Sequence, residues 1–328
     1  MMSLFSVDRG GWLFKVYDRN KKLLAAVAAI ALIFVAGQFV VSSFLSLNQV
    51  LITLKLASFI ALFSLCQMIV MAAGGAGLDL SVGYAATITA VFTASVMNGQ
   101  NGNLWLAVLI ALGIGLAVGF CNGFLSAYLK LPSLVVTLAM SQILQGIINV
   151  YTAGALITGK PSPVLQILAA KSTGIFPNVV FLLVGVAIVV MVLLYRTRWG
   201  ATLFGVGENE TAAFLSGVNT RRVRTIAFML SGTFASLIGL LLIGNMGVAF
   251  KDMGSDYVLP SIAAAVVGGV SLQGGDGNYV GVILGAVLLQ ALLNLLVALG
   301  WGDAGKWVGF GVVLYALLAA YVSNRRGR

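Results

Sequence analysis

Polar positions in this chain are few and bunched, and what lies between them is apolar at position after position. The stretch "LLAAVAAIALIFVAGQFVV" shows the pattern, a continuous run without alternation. Alternation would mark a membrane barrel and a narrow apolar stripe a soluble helix. A run of roughly 20 apolar residues fits a helix that crosses the hydrocarbon core. Such runs recur near 23–42, 50–72, 80–98, 104–126, 133–152, 179–195, 225–247, 258–273, 279–299 and 306–322. They predict an all-α, polytopic membrane protein of about ten transmembrane helices, with residues 1–328 forming a single transmembrane domain. The first run is longer than the apolar core of a signal peptide and no clear cleavage site follows it, so it reads as a retained span. Two connections are long, 153–178 and 196–224.

Composition agrees, with 60% hydrophobic and 9% charged residues where a soluble domain carries nearer a quarter charged. The net charge of +10 would suggest nucleic acid in a soluble protein. Here the cations lie between apolar runs, so the bilayer is the expected partner and nucleic acid is not. Arg9, Lys15, Arg19, Lys21 and Lys22 precede the first span, and Arg325, Arg326 and Arg328 follow the last. Arg196, Arg198, Arg221, Arg222 and Arg224 flank the second long connection, and Lys130 lies in the turn after span four. With ten spans all of these fall on one face, against Lys160, Lys171, Lys251 and Lys306 on the other. The positive-inside rule puts the basic face and both termini in the cytoplasm, 196–224 inside and 153–178 outside. There is no histidine, and Cys66 and Cys121 both lie in apolar runs. No catalytic residue, imidazole chemistry or metal site is expected.

Four stretches carry chemistry. In "GGAGLDLSVG", residues 74–83, the glycines permit an interrupted helix, and broken backbone at membrane depth must be buried in protein or line a cavity. Asp79 or Ser81, with Gly83 following, would cap the next half-helix by accepting its free amides. The break is then a structural cap, a substrate-facing interruption, or both. "GGVSLQGGDGNYVG", 268–281, reads as a polar turn at the cytoplasmic surface. "GLAVGFCNG" puts Gly115, Gly119 and Gly123 on one helix face, a stripe that lets a neighbour approach closely, with Asn122 beside it to bond across helices. "GALITGKP", 154–161, nearly matches a phosphate-binding loop, but Pro161 stands where a magnesium-ligating hydroxyl is needed, so no ATPase site is expected in this chain.

Amides are the other polar feature of the apolar runs. Gln67, Gln145, Asn149, Gln290 and Asn294 are candidates to line a path, the last four forming pairs one helical turn apart. Amides both donate and accept, which suits a hydroxyl-rich neutral solute; the alternative role is to join helices. Scarce intramembrane charge speaks against a proton pump or ion-coupled carrier. In the second connection, "ENETAAFLSGVN" starts with Glu208 and Glu210 and ends past Gly217. That pattern predicts a short helix whose Ala212, Ala213, Phe214 and Leu215 insert into a partner's groove, or one that lies on the membrane surface.

"LDLSVG", "RTRWGATLFGVGENETAAFLSGVNTRRVRTIAFMLSG" and "LPSIAAAVVGGVSLQGGDGNYVGVILGA" resemble the ribose/xylose/galactoside-type permease subunits of bacterial ATP-binding-cassette importers, in order from about span two to the C-terminus. The family's usual "GGIDLSVG" stands here as "GGAGLDLSVG", slightly lengthened before Asp79. The resemblance implies a paired membrane subunit (two copies or a copy and a paralogue) in the bacterial inner membrane. It implies two cytoplasmic ATP-binding subunits that hold ATP and magnesium, this chain carrying no cofactor, and a periplasmic sugar-binding protein. It places the coupling element on roughly Gly207–Gly217, with Gly207, Glu208, Asn209, Glu210, Ala212, Ala213, Leu215 and Gly217. The implied function is import of a monosaccharide or similar small polar solute, with a branched-chain amino-acid permease or a stand-alone secondary transporter as alternatives.

Overall fold

In the computed structural model, the described residues are 9–75, 77–153 and 159–302, with 304, 305, 307–309, 311, 312 and 315 beyond them. The chain runs α1 (Arg9–Val40), α2 (Leu47–Ala72), α3 (Val82–Met97), α4 (Leu104–Ala127), α5 (Ser133–Thr152), α6 (Pro163–Ala169), a two-residue hairpin (Ser172–Thr173 with Phe176–Pro177), α7 (Asn178–Arg196), α8 (Arg198–Glu208), α9 (Glu210–Leu215), α10 (Thr220–Met246), α11 (Val258–Val267) and α12 (Tyr279–Ala298). Seven of these are long and apolar enough to cross a membrane, and the shorter α3 and α11 fill the third and eighth predicted spans. The tenth predicted span, 306–322, lies largely outside the described residues.

Hydroxyl and amide side chains start many of the helices. Ser46, Ser162, Thr197, Asn209, Asn219 and Asn278 accept a backbone N–H in the first turn of α2, α6, α8, α9, α10 and α12. Each satisfies a donor that the helix cannot use itself. One predicted boundary is corrected. Span eight stops at Val267 instead of 273, because Gly269 adopts φ +90° and Val270 N–H turns back to the Ala265 carbonyl. A glycine in the left-handed region closes a helix this way. At about 1.5 Å per residue, the ten residues of α11 reach only about half of a hydrocarbon core roughly 30 Å thick.

α2 is apolar all round and is buried on every side from Ala57 to Ala72, with α10, α11 and α12 packed on it. Around it α1, α4, α5 and α7 expose large apolar side chains, among them Phe39, Leu109, Phe120, Ile143, Val150, Phe181 and Val189. So much outward apolar surface is stable only against lipid. The glycine stripe of α4 meets α10. A Cβ on Gly115 would sit 2.5 Å from the Thr233 Cα, one on Gly119 2.5 Å from the Met229 Cα, and one on Gly123 2.7 Å from the Thr225 Cα. The two backbones touch along the whole stripe, as the spacing predicts.

Between α10 and α11 the chain does not stay at the end of the bundle. Gly247 ends α10 at φ +78°, and the following segment folds back so that Gly254 lies against the first turn of α3. Its N–H donates to Thr87 Oγ1 at 3.0 Å, and a Cβ on Gly83 would lie 2.6 Å from the Gly254 carbonyl oxygen. Gly83 therefore serves close packing of α3 on this returning segment.

Candidate functional site

Asp79 is the centre of the first polar cluster, and it is fully buried. The sequence made it or Ser81 a cap. Ser81 makes no side-chain cap bond; Asp79 Oδ1 accepts the Ser81 N–H at 3.0 Å and the Ser81 hydroxyl at 2.6 Å. Asp79 Oδ2 accepts the hydroxyl of Ser231 from α10 at 2.8 Å. Asn122 of α4 donates to Ser81 Oγ at 2.8 Å, so the amide beside the glycine stripe bonds across helices. Gln67, a path candidate from the sequence, is fully buried and spends both ends of its amide on one backbone unit. Its Nε2 donates to the Asp79 carbonyl at 2.8 Å, and its Oε1 accepts the Asp79 N–H at 3.2 Å. The cluster joins α2, α3, α4 and α10 around the break.

The break meets the long connection directly. α2 ends at Ala72, and Gly74 and Gly75 follow at φ +80° and +70°. A Cβ on Gly74 would lie 2.9 Å from the Gly207 Cα, and one on Gly274 2.9 Å from the Gly207 carbonyl oxygen. Gly275 N–H donates to the Ala72 carbonyl at 3.1 Å. The second glycine-rich stretch is a turn, as read, but it is also knitted to the first, with Gly207 between them. Three separate backbones approach here at distances only glycine allows.

The predicted short helix is α9, which starts at Glu210, and a further helix, α8, precedes it. Glu208 closes α8 and does not lie in the first turn of the next helix. Asn209, extended at φ −153°, lies between the two and caps α9, its Oδ1 accepting the Ala212 N–H at 2.9 Å. Glu210 then occupies the first turn, and Gly217 follows the end at φ +83°. Ala212 is exposed, Ala213 half-buried, and Phe214 and Leu215 are 66% and 79% exposed. Arg224, from the first turns of α10, reaches back under α9. Its guanidinium pairs with Glu210 at 2.9 Å and donates from Nε to the Ala73 carbonyl at 3.4 Å. A Cβ on Gly75 would lie 2.9 Å from the same guanidinium. One side chain thus touches α9, the end of α2 and the break, in a cleft of about 580 Å³ that Lys130, Arg221 and Phe214 also line.

The amide pairs separate. Gln145 is half-buried and Asn149 exposed on α5, beside the face that packs on α3 and α4. Gln290 and Asn294 lie at the opposite end of α2 from the break, where Gln290 Nε2 donates to Asn294 Oδ1 at 2.9 Å and Asn294 Nδ2 donates to Thr53 Oγ1 at 2.8 Å. Both open onto a second cleft of about 580 Å³ between α2, α11 and α12. Reading the sequence missed two acidic residues. Asp252 accepts the Tyr84 hydroxyl at 3.3 Å, and Asp256 enters the second cleft. The signal was "FKDMGSDY", acids around a glycine between two apolar runs. It passed for an ordinary outside loop because only the contact of Gly254 with α3 shows that it returns into the bundle.

The family model described as "Branched-chain amino acid transport system / permease component" matches residues 49–321. The chain is 30% identical over 311 residues to the ribose import permease protein RbsC of Escherichia coli strain K12, covering 94% of each. It is 32% identical over 307 residues to the autoinducer 2 import system permease protein LsrC of Shigella flexneri, covering 92% of this chain and 87% of the relative. No solved structure matches. A match across most of the chain, spanning the break, the paired helices α8 and α9 and the second glycine turn, shows that the chain belongs to the branched-chain amino acid transport system permease family.

Proposed function

We propose that this chain is the membrane subunit of an ATP-binding-cassette importer that carries a monosaccharide or a similar neutral polar solute across the bacterial inner membrane. The observation that carries the reading is α9, a capped helix with Phe214 and Leu215 turned outward and its root tied through Glu210 and Arg224 to the break at the end of α2. An exposed apolar pair on a small rigid helix is a docking knob. The cytoplasmic ATP-binding subunits, which bring ATP and magnesium, receive it. A second copy or a paralogue completes the pore, and a periplasmic sugar-binding protein delivers the solute. Residues 1–328 act as one transmembrane domain with both termini cytoplasmic, which places α9 inside and the Gln290–Asn294 cleft toward the periplasm.

The relatives named above import ribose and autoinducer 2, which supports a polar solute here. A branched-chain amino acid is the second reading, favoured by the family's description. Its carboxylate would want a cation, and the described lining of the Gln290–Asn294 cleft offers none. The test of coupling is Leu215→Arg. Ala213 is turned partly toward the chain's own core, so the more exposed Leu215 is the cleaner probe. The variant should insert normally, lose co-purification of the ATP-binding subunit and lose uptake. Normal uptake and normal solute-stimulated ATP hydrolysis would show that α9 is not the docking element.

A further inference from the structure

We propose that the cleft between α2, α11 and α12 is where the solute is first held within the membrane subunit, and that its chemistry selects a neutral ring polyol of monosaccharide size. The inference rests on the importer reading above and names the residues that meet the solute. A volume of about 580 Å³ lies within the range of small-molecule sites, roughly 300–1,000 Å³.

The hydrogen-bond order in the wall decides what the cleft offers. Thr53 Oγ1 donates to the Gln49 carbonyl at 2.8 Å, so it must accept from Asn294 Nδ2. Asn294 Oδ1 then accepts from Gln290 Nε2. This chain fixes the orientation of both amides and leaves Gln290 Oε1 without a partner among the described residues. The Asp256 carboxylate, exposed at the cleft, likewise has no hydrogen-bond or ion partner among them. Two unmatched acceptors call for a solute rich in donors, and an ionised carboxylate can take two hydroxyls at once. The same carboxylate repels acidic and phosphorylated solutes.

Apart from Gln49, the rest of the described wall is aliphatic with two aromatic rings. Tyr257 is held by stacking on Phe63, with centroids 5.1 Å apart and planes at 16°, and Trp307 also lines the cleft. Flat rings present an apolar face to the C–H side of a sugar ring while acceptors take its hydroxyl edge. The Gln49 side chain adds an amide at the mouth.

The test uses the permease with its co-purifying ATP-binding subunits, and cells expressing the whole system. Wild type is first assayed for uptake of labelled D-ribose, D-xylose and D-galactose. For whichever is imported, Asp256→Asn and Gln290→Met should each lower uptake about tenfold, the loss expected for one hydrogen bond. Assembly with the ATP-binding subunits should be retained. Independently, Asp256→Cys in a Cys66→Ala, Cys121→Ser background should react with a small methanethiosulfonate reagent from outside, and the imported sugar at millimolar concentration should slow that reaction. Normal uptake by both variants, or labelling that the sugar does not slow, would overturn the site while leaving the importer reading intact. Failure of wild type to import any of the three would overturn the sugar reading and the ligand class together.

Discussion

Asp79 shows how much one buried side chain can carry when a neighbour two residues on and a distant helix both supply its partners. Its carboxylate takes one amide and two hydroxyls, and its backbone is clamped by Gln67. Asp79 does not bond an amide within the first turn of α3, so its loss is felt through the buried donors it leaves unpartnered, at about 1–3 kcal/mol for each such group. Asp79→Ala should therefore lower the yield and melting temperature of the solubilised protein. Asp79→Asn should be milder, since the amide oxygen still accepts from Ser81 and the Ser231 hydroxyl can rotate to accept from the new NH₂. If Asp79→Ala melted like wild type and altered only which solute is imported, the structural role would be refuted. Arg224 is the opposite case. Its pair with Glu210 is partly exposed, at 20% and 45% of the two side chains, and such pairs are worth only about 0–1 kcal/mol. Breaking it should leave the fold intact and disturb the link between α9 and the break. Glu210→Gln and Arg224→Gln should melt like wild type yet hydrolyse ATP with poor solute import, and the double variant should be no worse than either single one. Additive losses of import would show that the two residues act separately.

At the scale of elements, the α4–α10 contact turns an ordinary helix rule around. Replacing glycine by alanine inside a helix normally stabilises by about 1 kcal/mol. On α4 the sign depends on what the new Cβ meets. Gly119 faces the Phe228 carbonyl and the Met229 Cα, whereas a Cβ on Gly113 meets nothing within 4 Å. Gly119→Ala should lower the folded fraction, and Gly113→Ala, two turns nearer the start of the helix, should be neutral or slightly stabilising. Fluorescence-detected size-exclusion after a heating series separates the two, and equal thermal profiles would mean that the helices are not in backbone contact. The glycines at 74, 207, 274 and 275 follow the same logic where α2, α8 and the 268–281 turn converge.

For the whole molecule, the two clefts lie at opposite ends of α2. From Gln49 to Ala73 is about 36 Å at 1.5 Å per residue, the thickness of a bilayer core and its edge. One cleft holds the α9 root and basic residues, the other Asp256 and the amides. The amides of α5, half-buried Gln145 and exposed Asn149, sit among outward apolar residues such as Ile143, Ile147 and Val150. A second subunit seated on α5 would turn them onto a shared path. Cysteine at 145, in a background without Cys66 and Cys121, should then react with small polar thiol reagents from water. It should become protected in some nucleotide states of the assembled complex. Complete protection in every state would assign those amides to joining helices.

The sequence alone determined what depends on local composition. Runs of apolar residues set the spans, since a helix long enough to cross lipid needs no tertiary partner to be recognised. The stripe at Gly115, Gly119 and Gly123 announced a close helix contact, because glycine at every fourth position removes side chains from one face. Gly217 marked the end of α9, because capping is settled within one turn, whereas of the two acids expected at its start only Glu210 lies there. What required the tertiary structure is whatever joins residues far apart in the chain. Gln67 reads as a free amide until Asp79 is folded onto it, twelve residues away. Glu208, expected in the first turn of the short helix, instead closes α8, and Asn209 caps α9 one residue later. Asp252 and Asp256 belong to a plain loop until Gly254 reaches Thr87, 167 positions earlier. No periodicity in a sequence encodes such an approach, which is decided when the glycines let separate backbones meet.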